Sequence, residues 1–294
     1  MFESIDETTA ELSRHSYVAD TSLSTSIYLS LKMGKALFLE GQPGVGKTEV
    51  AKVLARALDT SLIRLQCHEG IDISQAVYEW NYQKQLLAIQ ANSSEAGKSG
   101  SDNVFTREFL LERPLLKAIE SDLDRPAVLL IDEIDRADEE FESFLLELLS
   151  DFQITIPELG TLRAKHRPVV IITSNRTREV HDALKRRCVY QWIDYPTIER
   201  EMQIVEMKIP GITERLATQV VRVVQALRQQ ELYKAPGVAE TLDWAEALQH
   251  LHSTALDAAL LESTLGLLLK YRDDVEMVRG PIAQELIREA TEGS

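Results

Sequence analysis

The eight residues GQPGVGKT at 41–48 constrain this chain more than any other stretch. They satisfy GxxxxGK[ST], follow the apolar run Ala36–Leu39 and open a helical pattern at Thr48–Leu58. A glycine-rich turn between a strand and a helix lets the backbone curl until successive N–H groups converge on one point. The helix behind it adds the positive end of its dipole. Gly41, Gln42, Pro43, Gly44, Val45 and Gly46 are therefore expected to wrap phosphate oxygens, with Glu49 closing the set. Lys47 would reach the β- and γ-phosphates, and Thr48 would offer its hydroxyl to Mg²⁺. An ordinary strand-to-helix turn with an exposed lysine is the competing reading, and the apolar run before it and helical period after it argue against that.

Two further strand ends carry polar residues. VLLIDEID at 128–135 is an apolar run closed by Asp132 and Glu133, the place where open α/β sheets bind ligands. Asp132 suits a Mg²⁺ ion, and Glu133 suits removal of a proton from an attacking water. Thr173-Ser174-Asn175 closes the next run, and a neutral amide at Asn175 can orient a γ-phosphate and water without adding charge. Lys185-Arg186-Arg187 precedes the last core strand. These cations either complement a helix C-terminus or supply an arginine to a neighbouring subunit's phosphate.

The organisation is that of an α/β fold. Short apolar runs at 36–39, 61–67, 128–131, 169–173 and 189–193 alternate with helical periods at 48–58, 80–89, 110–123 and 139–149. Continuous apolar strands of this kind read as a parallel sheet covered on both faces. Polar residues at 91–103 read as a surface loop, and 152–156 with 161–164, around Pro157–Gly160, reads as a β-hairpin. Strand signals stop after Pro196, so a nucleotide-binding domain is expected at 1–196 and an all-helical domain at 197–294.

Charge narrows the partners. Thirty-two basic against 47 acidic residues leave −15, a field that repels phosphate backbones, so nucleic acid is not an expected partner. No apolar run approaches the roughly 20 residues of a membrane span. Two cysteines, Cys67 and Cys188, make neither a disulfide framework nor a zinc motif, and a reducing cytoplasm is the expected compartment.

Taken in order, Walker A at 41–48, Walker B at 128–133, Asn175 as sensor 1, an arginine finger at Arg187 (or its neighbour Arg186) and a helical lid, the chain resembles the AAA+ ATPases along essentially its whole length. An insert of about 72–105 and the hairpin of about 152–165 before sensor 1 resemble the MoxR branch. LIDEIDRADEEFESFLLELLSDFQITIPELGT (130–161), TSNRTREVHDALKRRCVYQWIDYP (173–196) and QCHEGIDISQAVYEWNYQKQLLAI (66–89) look like its CoxD-like subgroup. The resemblance implies ATP and Mg²⁺ as ligands and a homo-oligomeric, hexameric ring. It also implies a von Willebrand factor A-domain partner and a client protein such as a molybdenum hydroxylase under maturation. One position departs from the pattern. Where the lid usually carries a sensor 2 arginine, Pro236–Thr241 places Glu240. Two other activities stay open on these residues: a nucleic-acid motor or restriction-system subunit, and a nucleotide-gated scaffold that does not hydrolyse.

Overall fold

The computed structural model describes residues 2–94, 104–121 and 125–292. Most of the polar 91–103 stretch and the end of the helix expected over 110–123 lie outside them. By its contacts the chain forms two compact units. One comprises residues 1–8, 22–40 and 51–191; the other comprises 9–21, 41–50 and 192–294.

The first unit is built on a five-stranded sheet, of which only Gly41, Trp192 and Ile193 are counted with the second unit. Its strands are β1 (Leu37–Gly41), β2 (Leu62–Gln66), β5 (Val128–Asp132), β8 (Val169–Ser174) and β9 (Val189–Ile193), in the order β2-β5-β8-β1-β9. The pairs β2–β5, β5–β8 and β8–β1 are all parallel, so the strands share one carboxyl edge. Every residue of β5 is buried, as expected of a strand covered on both faces. Phe38, Leu65, Leu129, Ile131 and Ile172 pack with Leu115, Leu116 and Ile119 into one apolar cluster.

Two ribbons stand outside this sheet. β3 (Tyr78–Trp80) pairs antiparallel with β4 (Leu110–Glu112), and β6 (Gln153–Ile156) pairs antiparallel with β7 (Gly160–Arg163). The second is a hairpin where the alternation at 152–164 predicts one. The first replaces helix at both ends expected from the sequence. Trp80 belongs to a strand, buried edge-on against Phe105 at 5.3 Å. The helix expected from residue 80 starts at Tyr82, and the one expected from residue 110 starts at Pro114, where a proline is tolerated at the first helical turn.

The helices, in chain order, are α1 (Ile5–Arg14), α2 (Thr21–Met33), α3 (Lys47–Ala57), α4 (Ile73–Ala76), α5 (Tyr82–Ser94), α6 (Pro114–Ile119), α7 (Glu139–Asp151) and α8 (Asp182–Arg186). α9 (Ile198–Lys208), α10 (Glu214–Leu227), α11 (Val238–His250), α12 (Ala258–Leu268), α13 (Arg272–Val278) and α14 (Pro281–Glu292) follow in the second unit. There the apolar faces of α9 to α14 meet around Val220, Leu227, Trp244, Leu248, Leu265 and Leu286. Among the described residues no helix is long and apolar enough to cross a membrane.

A buried ion pair fixes the middle of this helical unit. The Arg228 guanidinium donates to both carboxylate oxygens of Glu201, each at 2.7 Å, and the two side chains are 4% and 0% exposed. Thr241 and Gln225 add donors to the same carboxylate, each at 2.8 Å. Removing one partner of such a pair leaves the other charge buried and under-satisfied, which typically costs about 3–5 kcal/mol. Arg228→Leu should therefore lower the unfolding midpoint of the chain strongly in urea. A midpoint shift worth less than about 1 kcal/mol would mean that Thr241 and Gln225 alone satisfy Glu201.

Candidate functional site

In the first unit, the residues singled out at the ends of β5 and β8 come together. Asp132 is 2% exposed. The Thr173 hydroxyl donates to its Oδ1 at 2.6 Å, and the Arg64 guanidinium donates to its Oδ2 through Nε at 3.0 Å and Nη2 at 2.5 Å. The β2–β5 register that sets Gln66 against Asp132 brings this part of β2 alongside the acids.

Glu133 follows in a left-handed conformation, φ 55° and ψ 52°, which a non-glycine residue adopts only when its surroundings hold it there. Its N–H is held by Thr173 Oγ1 at 3.0 Å. Two side-chain amides hold its carboxylate: Asn175 Nδ2 donates to Oε1 at 3.2 Å, and Gln66 Nε2 donates to Oε2 at 2.9 Å. Arg136 lies 3.4 Å from the same Oε2. The two amides and the Arg136 guanidinium together fix the direction of this carboxylate.

Asp135, 3% exposed, accepts from the Asn175 N–H at 3.2 Å and from both the N–H and hydroxyl of Thr177, at 2.9 and 2.6 Å. It is the anchor that sets the turn after β8 and hence the reach of Asn175. Gln66 and Arg64 lie outside the sequence motifs, on a strand of ordinary pattern, and only the strand order brings them to the acids. Thr173 and Asp135 stand inside the two motif stretches, without a role read for them there.

Cys67 lies beside the same acids. Burial first, then the Asp132, Asp135 and Glu133 carboxylates, push its thiol up to about 12. It stays protonated near neutral pH and is neither a nucleophile nor a thiolate ligand. Among the described residues no group of three or more His, Cys, Asp or Glu is placed to hold a metal ion. A single buried carboxylate such as Asp132 still suits Mg²⁺, which takes one or two protein ligands and fills its octahedron with water and phosphate oxygens.

The basic triplet separates into different roles. Lys185 Nζ lies 3.3 and 3.4 Å from the two oxygens of Glu40, a buried residue that also accepts the Tyr190 hydroxyl at 2.7 Å. Arg186 is exposed and pairs with Asp182 one helical turn away, at 2.8 Å. Arg187, also exposed, caps α8 and reaches the Leu146 carbonyl at 3.4 Å. Lys185 is thus a structural cation, while the two arginines face outward from the unit that carries them.

The 41–48 loop belongs to the second unit. Gly44 and Gly46 sit at φ 80° and 92°, open to glycine and strained for other residues. Gly41 answers to space instead: a Cβ there would fall 2.2 Å from the Ile193 carbonyl oxygen. Gln42, Pro43 and Gly44 are exposed, and Val45 and Lys47 are buried. Lys47 Nζ donates to the carbonyls of Gly41 at 2.8 Å and Gln42 at 2.7 Å, so its ammonium is drawn across the loop's own concavity. Lys47 begins α3, Thr48 follows it, and Glu49 pairs with Lys208 of α9 at 3.7 Å. Tyr17 borders the loop at Gly46, and the segment after it is pinned by Arg200, which donates to the Val18 carbonyl and pairs with Asp20 at 2.6 Å.

Glu240 has a different employment from the one its position suggests. Its Oε2 accepts the Gly237 N–H at 3.0 Å, the half of a capping box that a glycine N-cap permits. The carboxylate is committed to starting α11.

Comparison with known proteins adds four likenesses. Residues 36–188 match the AAA domain family, dynein-related subfamily. Over 281 residues the chain is 25% identical to YehL of Escherichia coli K12, covering 87% of this chain and 71% of that protein. It is 26% identical over 223 residues to the gas vesicle ATPase GvpN of Haloferax mediterranei, covering 72% of this chain and 61% of that one, so it spans less than two thirds of that relative. Among solved structures, a point mutant of Thermotoga maritima RuvB superposes with a TM-score of 0.50 at 17% identity, over 93% of this chain and 75% of the other, a likeness of fold.

Proposed function

Because the chain belongs to the AAA domain family, dynein-related subfamily, we propose that it binds Mg·ATP on the 41–48 loop, hydrolyses it with Glu133 as general base and spends the conformational change on a partner protein. The observation that carries this reading is the Glu133 carboxylate, held between the Gln66 and Asn175 amides at the carboxyl edge of a parallel sheet. Residues 1–196 act in this reading as the nucleotide-binding domain and 197–294 as the helical lid. Gly41 to Gly46 cradle the phosphates, Lys47 offsets their charge, and Glu49 steadies α3 behind them. Thr48 and Asp132 are the residues that would hold Mg²⁺, which neutralises phosphate charge when bound. Asn175 orients the water, and Arg187, with Arg186 as its alternate, is contributed to the neighbouring subunit of a ring.

A protein client is favoured over nucleic acid by two observations. The net charge is −15. In addition, α5 turns Tyr82, Leu86 and Ile89 outward at 62%, 59% and 45% exposure, spaced as one helical face. The β6–β7 hairpin and the region around α5 support the MoxR-type reading in particular. Within it, a von Willebrand factor A-domain partner follows from resemblance to the MoxR family, and a metalloenzyme client from resemblance to its CoxD-like subgroup.

The phosphate-binding half of the reading is tested by Lys47→Ala. A hydrogen bond to a charged group is worth about 1.5–3 kcal/mol, so its loss should weaken ATP binding by about one to two orders of magnitude with the fold unchanged. Titration of a fluorescent ATP analogue reads this directly, and equal affinities for the two proteins would refute the loop's assignment.

A further inference from the structure

The first turn of α11 does something unusual with its free amides. The opening N–H groups of a helix ordinarily go to a cap, to water or to an anion. Here the Val238 N–H donates to the Gly44 carbonyl at 2.9 Å, and the Ala239 N–H approaches the same oxygen at 3.4 Å. The two backbones touch: a Cβ on Gly237 would lie 2.9 Å from Gly44 Cα and 3.0 Å from the Pro43 carbonyl oxygen. Glu240 closes the helix start against a bound phosphate, because its carboxylate takes the Gly237 N–H.

The start of α11 is itself held rigidly. Arg228 Nε donates to the Pro236 carbonyl at 2.8 Å, and Thr241 links the first turn to Glu201 at 2.8 Å. The guanidinium lies over the Tyr195 ring at 4.6 Å, and Gln225 ties the Pro196 carbonyl to Glu201. The donor that meets Gly44 is therefore braced by a buried pair.

A trans peptide unit is planar, and its C=O and N–H point in opposite directions. The Gly44 oxygen and the Val45 N–H belong to one such unit. Holding that oxygen against α11 fixes the Val45 N–H on the opposite side. We propose that the α11 N-terminus is a positioning element for phosphate: Val238 N–H, gripping Gly44 O, presents Val45 N–H to the nucleotide. The helical region is thereby coupled to ATP through the loop's backbone, with no lid side chain on the phosphates. This rests on the reading of 41–48 as the phosphate loop.

Val238 occupies the first helical position after an N-cap in extended conformation (Gly237, φ −83° and ψ −178°). A proline is tolerated there by both the helix and the residue before it. Val238→Pro removes the one N–H in question and sets ring carbon against Gly44 O. Val238→Ala keeps the N–H and discards the side chain. Titrations with ATP and with inorganic tripolyphosphate, each followed by intrinsic fluorescence or calorimetry, should show Val238→Pro weaker for both ligands by about tenfold, the worth of one hydrogen bond, and Val238→Ala close to wild type. Thermal unfolding of the three proteins checks that each is folded. Wild-type affinity in folded Val238→Pro, or an equal loss in Val238→Ala, would overturn the positioning role. Should Lys47→Ala bind both ligands as tightly as wild type, the phosphate-loop reading fails and takes this inference with it. A Lys47→Ala loss beside an unaffected Val238→Pro overturns the inference alone.

Discussion

Mixing Arg187→Ala subunits with Lys47→Ala subunits should restore ATP hydrolysis that neither protein shows alone. Arg187 is exposed on α8's end, with a weak tie to the Leu146 carbonyl. Its guanidinium is planar and permanently charged, suited to the charge that spreads over a transferring phosphoryl group. Fingers supplied by a neighbouring chain are worth about 10³–10⁵ in rate in other phosphoryl-transfer proteins. Arg187→Ala subunits keep the whole phosphate loop together with Asp132 and Glu133, whereas Lys47→Ala subunits keep the finger. Head-to-tail contact between unlike subunits puts an intact finger against an intact loop at about a quarter of the interfaces in an equal mixture. Recovery of that order, seen as phosphate release, would show action in trans. Mixed assemblies with no recovery would place Arg187 in a structural role, and Arg186, whose exposed pairing is with Asp182, becomes the finger to remove next.

Much of this arrangement is legible in the amino-acid sequence. GQPGVGKT after an apolar run announces a strand, a loop and a helix because those residue types have little else to do together. Asp132, Glu133 and Asn175 fall at strand ends for the same reason: each closes an uninterrupted apolar run, and parallel strands share an edge. The 153–163 hairpin is written in strict alternation around Pro157 and Gly160.

The features that local pattern does not reveal depend on strand order and on distant contact. Gln66 and Arg64 reach the acids because β2 lies beside β5, and nothing local to either strand says so. The β3–β4 ribbon has three residues on each side, too short for a period to outweigh the helical pattern that follows Trp80. In the sequence Lys185 is one of three equivalent cations, and Glu40, 145 residues away, sets it apart. Glu240 stands where an arginine is expected from the resemblance, and the structure gives it the separate task of capping α11.

In the proposed mechanism hydrolysis rests on Glu133. Its carboxylate is held by two amides, which is why it is proposed as the base, while the neighbouring Asp132 is buried and is proposed for the metal. Glu133→Gln preserves the size of the side chain, replaces one accepting oxygen by a donating amide, and removes the charge and the capacity to accept a proton. General-base catalysis contributes typically about 10²–10⁴-fold, so the variant should hydrolyse ATP more slowly by that factor. Its affinity for Mg·ATP should stay within about twofold of wild type, because no phosphate contact is removed. Both quantities come from one experiment: equilibrium binding of labelled Mg·ATP to wild type and Glu133→Gln, followed in the same samples by the appearance of ADP. Equal binding with ADP formed by the wild type and nearly absent in the variant is the predicted result. ADP forming in the variant at half the wild-type rate, or ATP bound by the wild type and never converted, would contradict it.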